Sequence, residues 1–406
     1  MANRGFQFRL YPNDVQASAL AQTCGVVRLV WNIALEQRRH HARRYKNRMG
    51  TSLNYVAQAR ELTVLRDDVS FVRDVHVTPL QRCLKELDRA YKAFWAGNAG
   101  PPSPRKKHVQ MSFSHAGREV QVRPLNKNWA SVRIPKIGWL KFRKTRDIPE
   151  DVREVTVSKT ALGWNVTFGC VVPDQEDTKP GSVGIDRGVD IPLALSDARV
   201  FGEDLKIRLL HLERRARFLQ RRVSRRKKGS NRYRRAVKHL SKIKAKIARV
   251  RKHWAHCVTS WITQSYGTVV IEDLKTKNMT RSNRGTIEAP GRNVRQNSGR
   301  NRAILNIGWH QIEQMLSYKA GRLVKVDPRY TSQTCSTCGT QDKTSRKSQA
   351  VFDCTNCGFR ANADINAAIN ILMRGNDACL DVEPVSRDRL KRLLEGANRP
   401  LKIPVL

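Results

Sequence analysis

Hydrophobic and polar residues alternate over Gly5-Phe-Gln-Phe-Arg-Leu-Tyr11, a period-two pattern that predicts a strand. Pro12, Asn13 and Asp14 end that strand and open a helix. From Asp14 to about residue 98 apolar residues recur in steps of three and four. One stripe is Leu20, Cys24, Val27, Trp31 and Leu35. Another runs from Pro79 to Trp95 through Leu80, Cys83, Leu84, Leu87, Ala90, Tyr91 and Phe94. Both stripes read as core-facing helix surfaces. Gly97-Asn-Ala-Gly-Pro-Pro-Ser-Pro-Arg-Lys-Lys107 is rich in breakers and reads as a linker. Beyond it the period returns to two in short segments: Glu119–Arg123, Ala130–Ile134, Gly138–Phe142, Val155–Lys159 and Trp164–Cys170. These predict a small barrel or sandwich. The polar stretch Pro173 to Gly181 closes it and marks a domain boundary.

A second module opens on the strand Ser182-Val-Gly-Ile-Asp186, with Ile191–Leu195 as its hairpin partner. Leu205, Leu209, Leu212, Ala216, Leu219 and Val223 then repeat in alternating steps of four and three. A similar rhythm resumes at Ala236, Leu240, Ile243, Ile247, Val250, Trp254, Cys257 and Trp261, after a turn at Lys228-Gly-Ser-Asn231. Two heptad arms joined by a turn predict an antiparallel helical hairpin. Thr268–Glu272 and Arg322–Val326 read as strands, and Ala361–Ile371 as an apolar-striped helix.

Charge changes this picture. The 406-residue chain carries 77 Lys+Arg against 35 Asp+Glu, a net charge of +42. Such a surplus repels itself unless a polyanion neutralises it, and nucleic acid fits best because each neutralised phosphate releases counterions. A generic basic RNA-binding protein is the alternative on composition alone. The surplus is concentrated: from Lys206 to Lys252 there are 21 Lys/Arg and one acid, Glu213. A merely solvated helical face carries compensating acids, so the hairpin reads as a backbone-contacting surface. The charged start and the absence of a long apolar run predict a soluble, cytoplasmic protein without a membrane partner.

Three acids stand out by context. Asp186 and Glu272 each end an apolar strand, and Asp364 sits in Ala361-Asn-Ala-Asp-Ile-Asn-Ala-Ala-Ile-Asn-Ile371. Singly, each reads as a turn or cap residue. Together, carboxylates converging from two strand ends and a helix suit Mg2+, which takes oxygen ligands. Two such ions about 4 Å apart can activate a water and stabilise a leaving oxygen. Asp327, in Asp-Pro-Arg, reads equally as a fourth acid or as a turn initiator. Ser282 to Asn301, polar and basic, reads equally as a mobile lid or a surface loop. Cys335-Ser-Thr-Cys338 and Cys354-Thr-Asn-Cys357 have the spacing of a four-cysteine zinc ribbon. Such a site is closed, so its Zn2+ is structural, and Lys343, Arg346, Lys347 and Arg360 are left to touch nucleic acid. The other cysteines, Cys24, Cys83, Cys170, Cys257 and Cys379, read as reduced packing thiols. No nucleotide-binding glycine loop or nucleophile elbow is present.

The chain resembles the TnpB family, transposon-encoded relatives of type V CRISPR effectors. The resemblance rests on Phe8-Arg-Leu-Tyr-Pro12, Leu84–Trp95, Gly184-Ile-Asp-Arg-Gly188, Val270-Ile-Glu-Asp-Leu274, Tyr330-Thr-Ser-Gln-Thr-Cys-Ser-Thr-Cys-Gly339 and Asn362-Ala-Asp-Ile-Asn-Ala-Ala368, the last four in the family's order. It implies a multidomain α+β architecture. An N-terminal β-barrel wedge domain (1–13 and 101–180) would carry a helical recognition insert (14–100). A RuvC-like nuclease domain of RNase H fold would follow (181–330 with the basic hairpin, and 362–375). A zinc ribbon (331–361) would interrupt it, and a tail (376–406) would follow. The family's acids fall on Asp186, Glu272 and Asp364. The resemblance further implies a guide RNA, double-stranded target DNA read beside a short flanking motif, one protein per guide, and one centre cutting both strands in a bacterial or archaeal cell. The recognition helices match only by pattern, and the tail lies beyond the last motif. Competing readings are a miniature CRISPR effector, a nuclease-inactive RNA-guided repressor, a transposase proper and a structural RNA-binding protein.

Overall fold

The computed structural model describes residues 2–44, 53–107, 109, 111–173 and 179–377. Two compact units divide the chain, Met1–Asp174 and Gln175–Leu406. The tail from 378 onward, with Cys379, lies outside the described residues.

In the first unit seven antiparallel strands form one sheet. They are β1 (Ala2–Tyr11), β2 (Ser112–Ala116), β3 (Gln121–Asn126), β4 (Trp129–Ile134), β5 (Gly138–Arg143), β6 (Val152–Thr160) and β7 (Gly163–Val172). Their order is β2-β6-β7-β1-β5-β4-β3. The long strand β1 joins the two halves: Ala2–Arg9 pair with β7, and Leu10 and Tyr11 pair with β5. Alternation turns Phe8 and Leu10 inward with Phe142 and Phe168. Phe142 and Phe168 flank β1 on opposite sides, yet their rings lie 5.7 Å apart. The expected barrel or sandwich is therefore a single sheet curled over an aromatic core. Among the described residues its ladder ends at β2 and β3 and does not close.

Three long helices accompany this sheet, α1 (Asp14–Arg44), α2 (Tyr55–Asp68) and α3 (Val77–Trp95), with a single helical turn, Ser70–Arg73, between the last two. Leu20, Cys24, Val27, Trp31 and Leu35 are buried, as are Leu80, Cys83, Leu84 and Leu87, in line with the two stripes. Phe94, assigned to the second stripe, is exposed. Arg38 is buried because three partners share it. Its Nη2 lies 3.0 Å from Asp88 Oδ1, its Nε donates to Gln58 Oε1 at 2.8 Å, and its guanidinium stacks 5.2 Å from the Tyr91 ring. By length and composition α1 is apolar enough to cross a membrane, which the sequence did not lead us to expect; half of its apolar window is buried within the protein. The linker is docked rather than free. Trp31 Nε1 donates to Ser103 O at 3.1 Å, and Arg105 stacks on Trp31 at 4.0 Å while pairing with Glu86 at 2.7 Å.

The second unit has a five-stranded sheet of β8 (Ser182–Asp186), β9 (Leu193–Leu195), β10 (Val200–Phe201), β11 (Thr268–Glu272) and β12 (Arg322–Val326). The order is β10-β9-β8-β11-β12, with β8, β11 and β12 parallel and β9 and β10 antiparallel. Both faces are covered, so the central strands are nearly all apolar. Val183, Ile185, Val269 and Ile271 face a core shared with α4 (Glu203–Ser224), α5 (Asn231–Ser265), α6 (Val294–Ile307) and α7 (Trp309–Lys319). Val270 and Val326 face the other way, against Ile371 and Leu372 of α8 (Ala363–Asp377). Helices α4 and α5 form the expected hairpin. Ser230 caps α5 by accepting from Tyr233 N at 3.1 Å, and at the far end Trp254 Nε1 donates to Asp204 Oδ1 at 3.2 Å.

Gly184 shows how closely α8 sits on β8. A Cβ there would lie 2.2 Å from Ala368 O and 2.7 Å from Leu372 N. Backbone cannot yield as a side chain can, so Gly184→Ala should destabilise this unit by at least about 1–3 kcal/mol. Thermal unfolding checks this, and a variant that melts with the unchanged protein would contradict the packing of α8 on β8.

Candidate active site

Strand parity builds the site. Ile185 pairs with Ile271 across β8 and β11, so Asp186 and Glu272 end adjacent parallel strands. Counting back by two, they share the face of Gly184 and Val270, which is the face covered by α8. Asp364 lies in the first turn of α8, whose start Asn362 caps by accepting from Asp364 N at 3.0 Å. A negative charge there also suits the helix dipole. Gly188, just past β8, lies beside Asp364, and the turn to β9 passes so close that a Cβ on it would lie 2.6 Å from Ile191 O.

The three acids named from sequence are thus brought together, and each resists ionisation. Burial, then Glu272 and Asp364, push Asp186 up to about 7, against the pull of Arg346. Burial raises Glu272, opposed by the Thr331 hydroxyl and the Arg187 and Arg374 charges. Burial also raises Asp364, with Asp190 adding repulsion and Arg346 opposing it. Buried oxygen donors of this kind suit a hard divalent cation, whose charge would favour the ionised form of each and most of all of Asp186, which both other acids repel.

Several residues that the sequence did not single out hold this arrangement. Thr331 Oγ1 donates to Glu272 Oε1 at 2.6 Å. Arg187 donates to the Glu272 carbonyl and pairs with Glu313 at 3.1 Å. On α8, Asn366, Asn370 and Arg374 recur at steps of four and clamp the incoming segment. Asn366 Nδ2 donates to Thr334 O at 2.8 Å, Asn370 Nδ2 to Thr331 O at 2.9 Å, and Arg374 Nη1 to Asp327 O at 2.9 Å. Buried amides at helical spacing in an otherwise apolar stripe were the available signal. Asp327 itself is exposed and accepts from Arg329 N at 2.9 Å, so it serves as a turn cap.

The four cysteines also converge. Cys335 and Cys357 sulfurs lie 3.7 Å apart, and those of Cys338 and Cys354 lie 3.6 Å apart. A tetrahedral ion with Zn–S bonds of about 2.3 Å spaces its ligands by about 3.8 Å, so the cluster fits structural zinc. Ser336 N donates to Asn366 Oδ1 at 3.0 Å, tying the first knuckle to α8. Of the ribbon's four basic residues, two differ from expectation. Arg346 lies 3.7 Å from Asp364 Oδ1, and Arg360 pairs with Asp353 at 2.8 Å; Lys343 and Lys347 are exposed. Cys24, Cys83 and Cys170 are buried packing thiols, with burial pushing Cys24 and Cys83 up to about 12, while Cys257 is partly exposed.

Between Lys206 and Lys252 the one acid, Glu213, accepts from Asn306 Nδ2 at 3.0 Å. The segment 282–301 is not one long loop. Gly285 and Pro290 bridge a short turn, and α6 begins at Val294.

Thr331→Val removes a hydroxyl but little volume, and leaves the buried Glu272 carboxylate short of a donor. It should destabilise the protein by about 1–3 kcal/mol, whereas Thr331→Ser should not. Thermal unfolding of the two variants checks this; equal melting would remove Thr331 from the site.

Residues 166–283 match a family described as "Probable transposase", and 309–371 match the "Cas12f1-like, TNB domain". Residues 1–48 match a "Helix-turn-helix domain", although the described residues there form β1 and the single helix α1. An Escherichia coli K12 protein, "Putative RNA-guided DNA endonuclease InsQ", is 34% identical over 381 residues and 92% of each chain. A Streptomyces pristinaespiralis protein named in the same way, without the suffix, is 31% identical over 92% of this chain and 89% of its own. A solved "Cas12f1-sgRNA-target DNA complex" contains a chain of the same fold, with a TM-score of 0.53 at 17% identity, covering 87% of this chain and 82% of that one. With relatives this similar along nearly its whole length, the chain belongs to the TnpB family.

Proposed function

We propose that this chain is a transposon-associated, RNA-guided DNA endonuclease whose single RuvC-like centre consists of Asp186, Glu272 and Asp364. One observation carries the reading: three carboxylates from two parallel strand ends and one helix meet on the same face of the sheet. The names of the two full-length relatives support the RNA-guided part. Counted from its own first strand, the sheet order is 3-2-1-4-5, which supports an RNase H-type assignment. The division into wedge (1–13, 101–180), recognition insert (14–100), nuclease parts (181–330, 362–375) and ribbon (331–361) belongs to the same proposal, as does a cytoplasmic setting with one protein per guide.

Asp186, Glu272 and Asp364 would hold Mg2+, which supplies an activated water and stabilises the leaving oxygen when bound. The protein's own part is positional. Thr331 fixes one oxygen of Glu272, and Arg187 anchors its backbone. Arg346 balances Asp364 from the ribbon side. The hairpin's basic rows follow phosphates, so guide and target are gripped by backbone while base pairing selects the sequence. Nothing in the site favours the repressor reading, since each acid is present. The array-guided effector is also disfavoured, because the relatives matched at full length carry the plain endonuclease name.

The test is plasmid cleavage by the protein with its co-purified RNA. Double-strand cuts should require Mg2+ and fall by a factor of about 10³ or more in Asp186→Ala, with RNA-dependent DNA binding retained. Binding without cutting in the unchanged protein would favour the repressor.

A further inference from the structure

A second cluster of metal-binding side chains lies in the first unit, remote in sequence from both the acids and the ribbon. His76 is the residue before α3, His115 is on β2, and Glu119 ends the 3-10 turn Gly117–Glu119 that follows β2. One ligand atom from each lies within 4.8 Å of the others. The two imidazole rings are 5.4 Å apart. We propose that His76, His115 and Glu119 bind a second zinc ion, which ties the start of α3 to β2.

Four observations support the site. First, the chain is shaped to make it. A Cβ on Gly117 would lie 1.7 Å from Val152 O, so only glycine lets the turn tuck against β6 and bring Glu119 back beside His115. Second, Glu119 is oriented from both sides. Thr78 Oγ1 donates to its Oε1 at 2.7 Å, and its Oε2 lies 3.3 Å from His115 Nδ1. A ligating carboxylate is ordinarily held by such a neighbour. Third, His76 Nδ1 is buried and has no hydrogen-bond partner among the described residues. A buried ring nitrogen with nothing to bond is costly, and a metal would satisfy it. Fourth, a cavity of about 210 Å³ lined by Thr23, Asp74, His76, His115, Pro135 and Lys136 adjoins the cluster, leaving room for a water as fourth ligand.

The donor set selects the metal. Two imidazoles and one carboxylate suit zinc and its borderline neighbours, whereas Mg2+ prefers oxygen alone. The nearby cations are already engaged. Arg82 pairs with Glu154 at 2.8 Å, and Lys136 Nζ donates to Arg73 O at 2.7 Å.

Elemental analysis of the full-length protein with its bound RNA, dialysed and then supplied with zinc, tests the site. The unchanged protein should hold two zinc ions per chain. His76→Ala should hold one, because the four cysteines keep theirs. Substituted cobalt should lose, in the same variant, absorption that carries no thiolate charge-transfer band. Glu119→Gln keeps the shape and the acceptor for Thr78, and provides the same count if His76→Ala does not fold. One zinc in the unchanged protein, or two in either folded variant, would overturn the proposal. The count involves no cleavage, so it stands or falls apart from the endonuclease reading.

Discussion

Burial of three carboxylates, one of them repelled by the other two, is the constraint around which the second unit is arranged. Asp186, Glu272 and Asp364 each have their ionisation opposed by burial, and Asp186 is opposed by the other two as well. Apolar groups would fill this position at no such cost. A fold that keeps the acids there must hold them against their own repulsion, and the surrounding contacts do so. The Thr331 hydroxyl, the Arg187 guanidinium and the clamp of Asn366, Asn370 and Arg374 all act on backbone or oxygen atoms near the acids.

The same clamp holds the segment that carries the four cysteines. The segment between β12 and the first knuckle runs along α8, and Asn366 bonds both Thr334 O and Ser336 N. An ion held by the four clustered cysteines would fix the shape of this segment, and the amides of α8 fix its attachment. Arg346 then comes from the ribbon to within 3.7 Å of Asp364. Ribbon and carboxylates are therefore one electrostatic unit, joined by a helix that sits too close to β8 to admit even a methyl group at Gly184.

Much of this was legible in the sequence, for physical reasons that differ by element. Stripes such as Leu20 to Leu35 and Leu80 to Leu87 gave the helices, because burial imposes the helical period. Asp186 and Glu272 could be picked because an acid that ends an apolar strand is costly unless it is used. The cysteine spacing specified its own cluster. What escaped was anything set by long-range approach. Thr331, Asp190 and Arg187 gain their roles from neighbours on other elements. The sheet of the first unit was expected as a barrel or sandwich, yet period-two alternation fixes faces and not closure. Arg346 and Arg360 read as free cations because their partners, Asp364 and Asp353, become neighbours only in the folded chain. The segment from Ser282 to Asn301 read as a loop since its polar composition hides the start of α6.

Thermal unfolding with and without divalent cation tests the central claim most directly. If repulsion among the acids is what a cation relieves, Mg2+ should raise the melting temperature of the unchanged protein over its value in EDTA. Asp186→Asn should melt higher than the unchanged protein in EDTA, because a repelling charge is gone, and should gain little from Mg2+. An Asp186→Asn protein that melts lower in EDTA and still gains as much from Mg2+ would contradict the account.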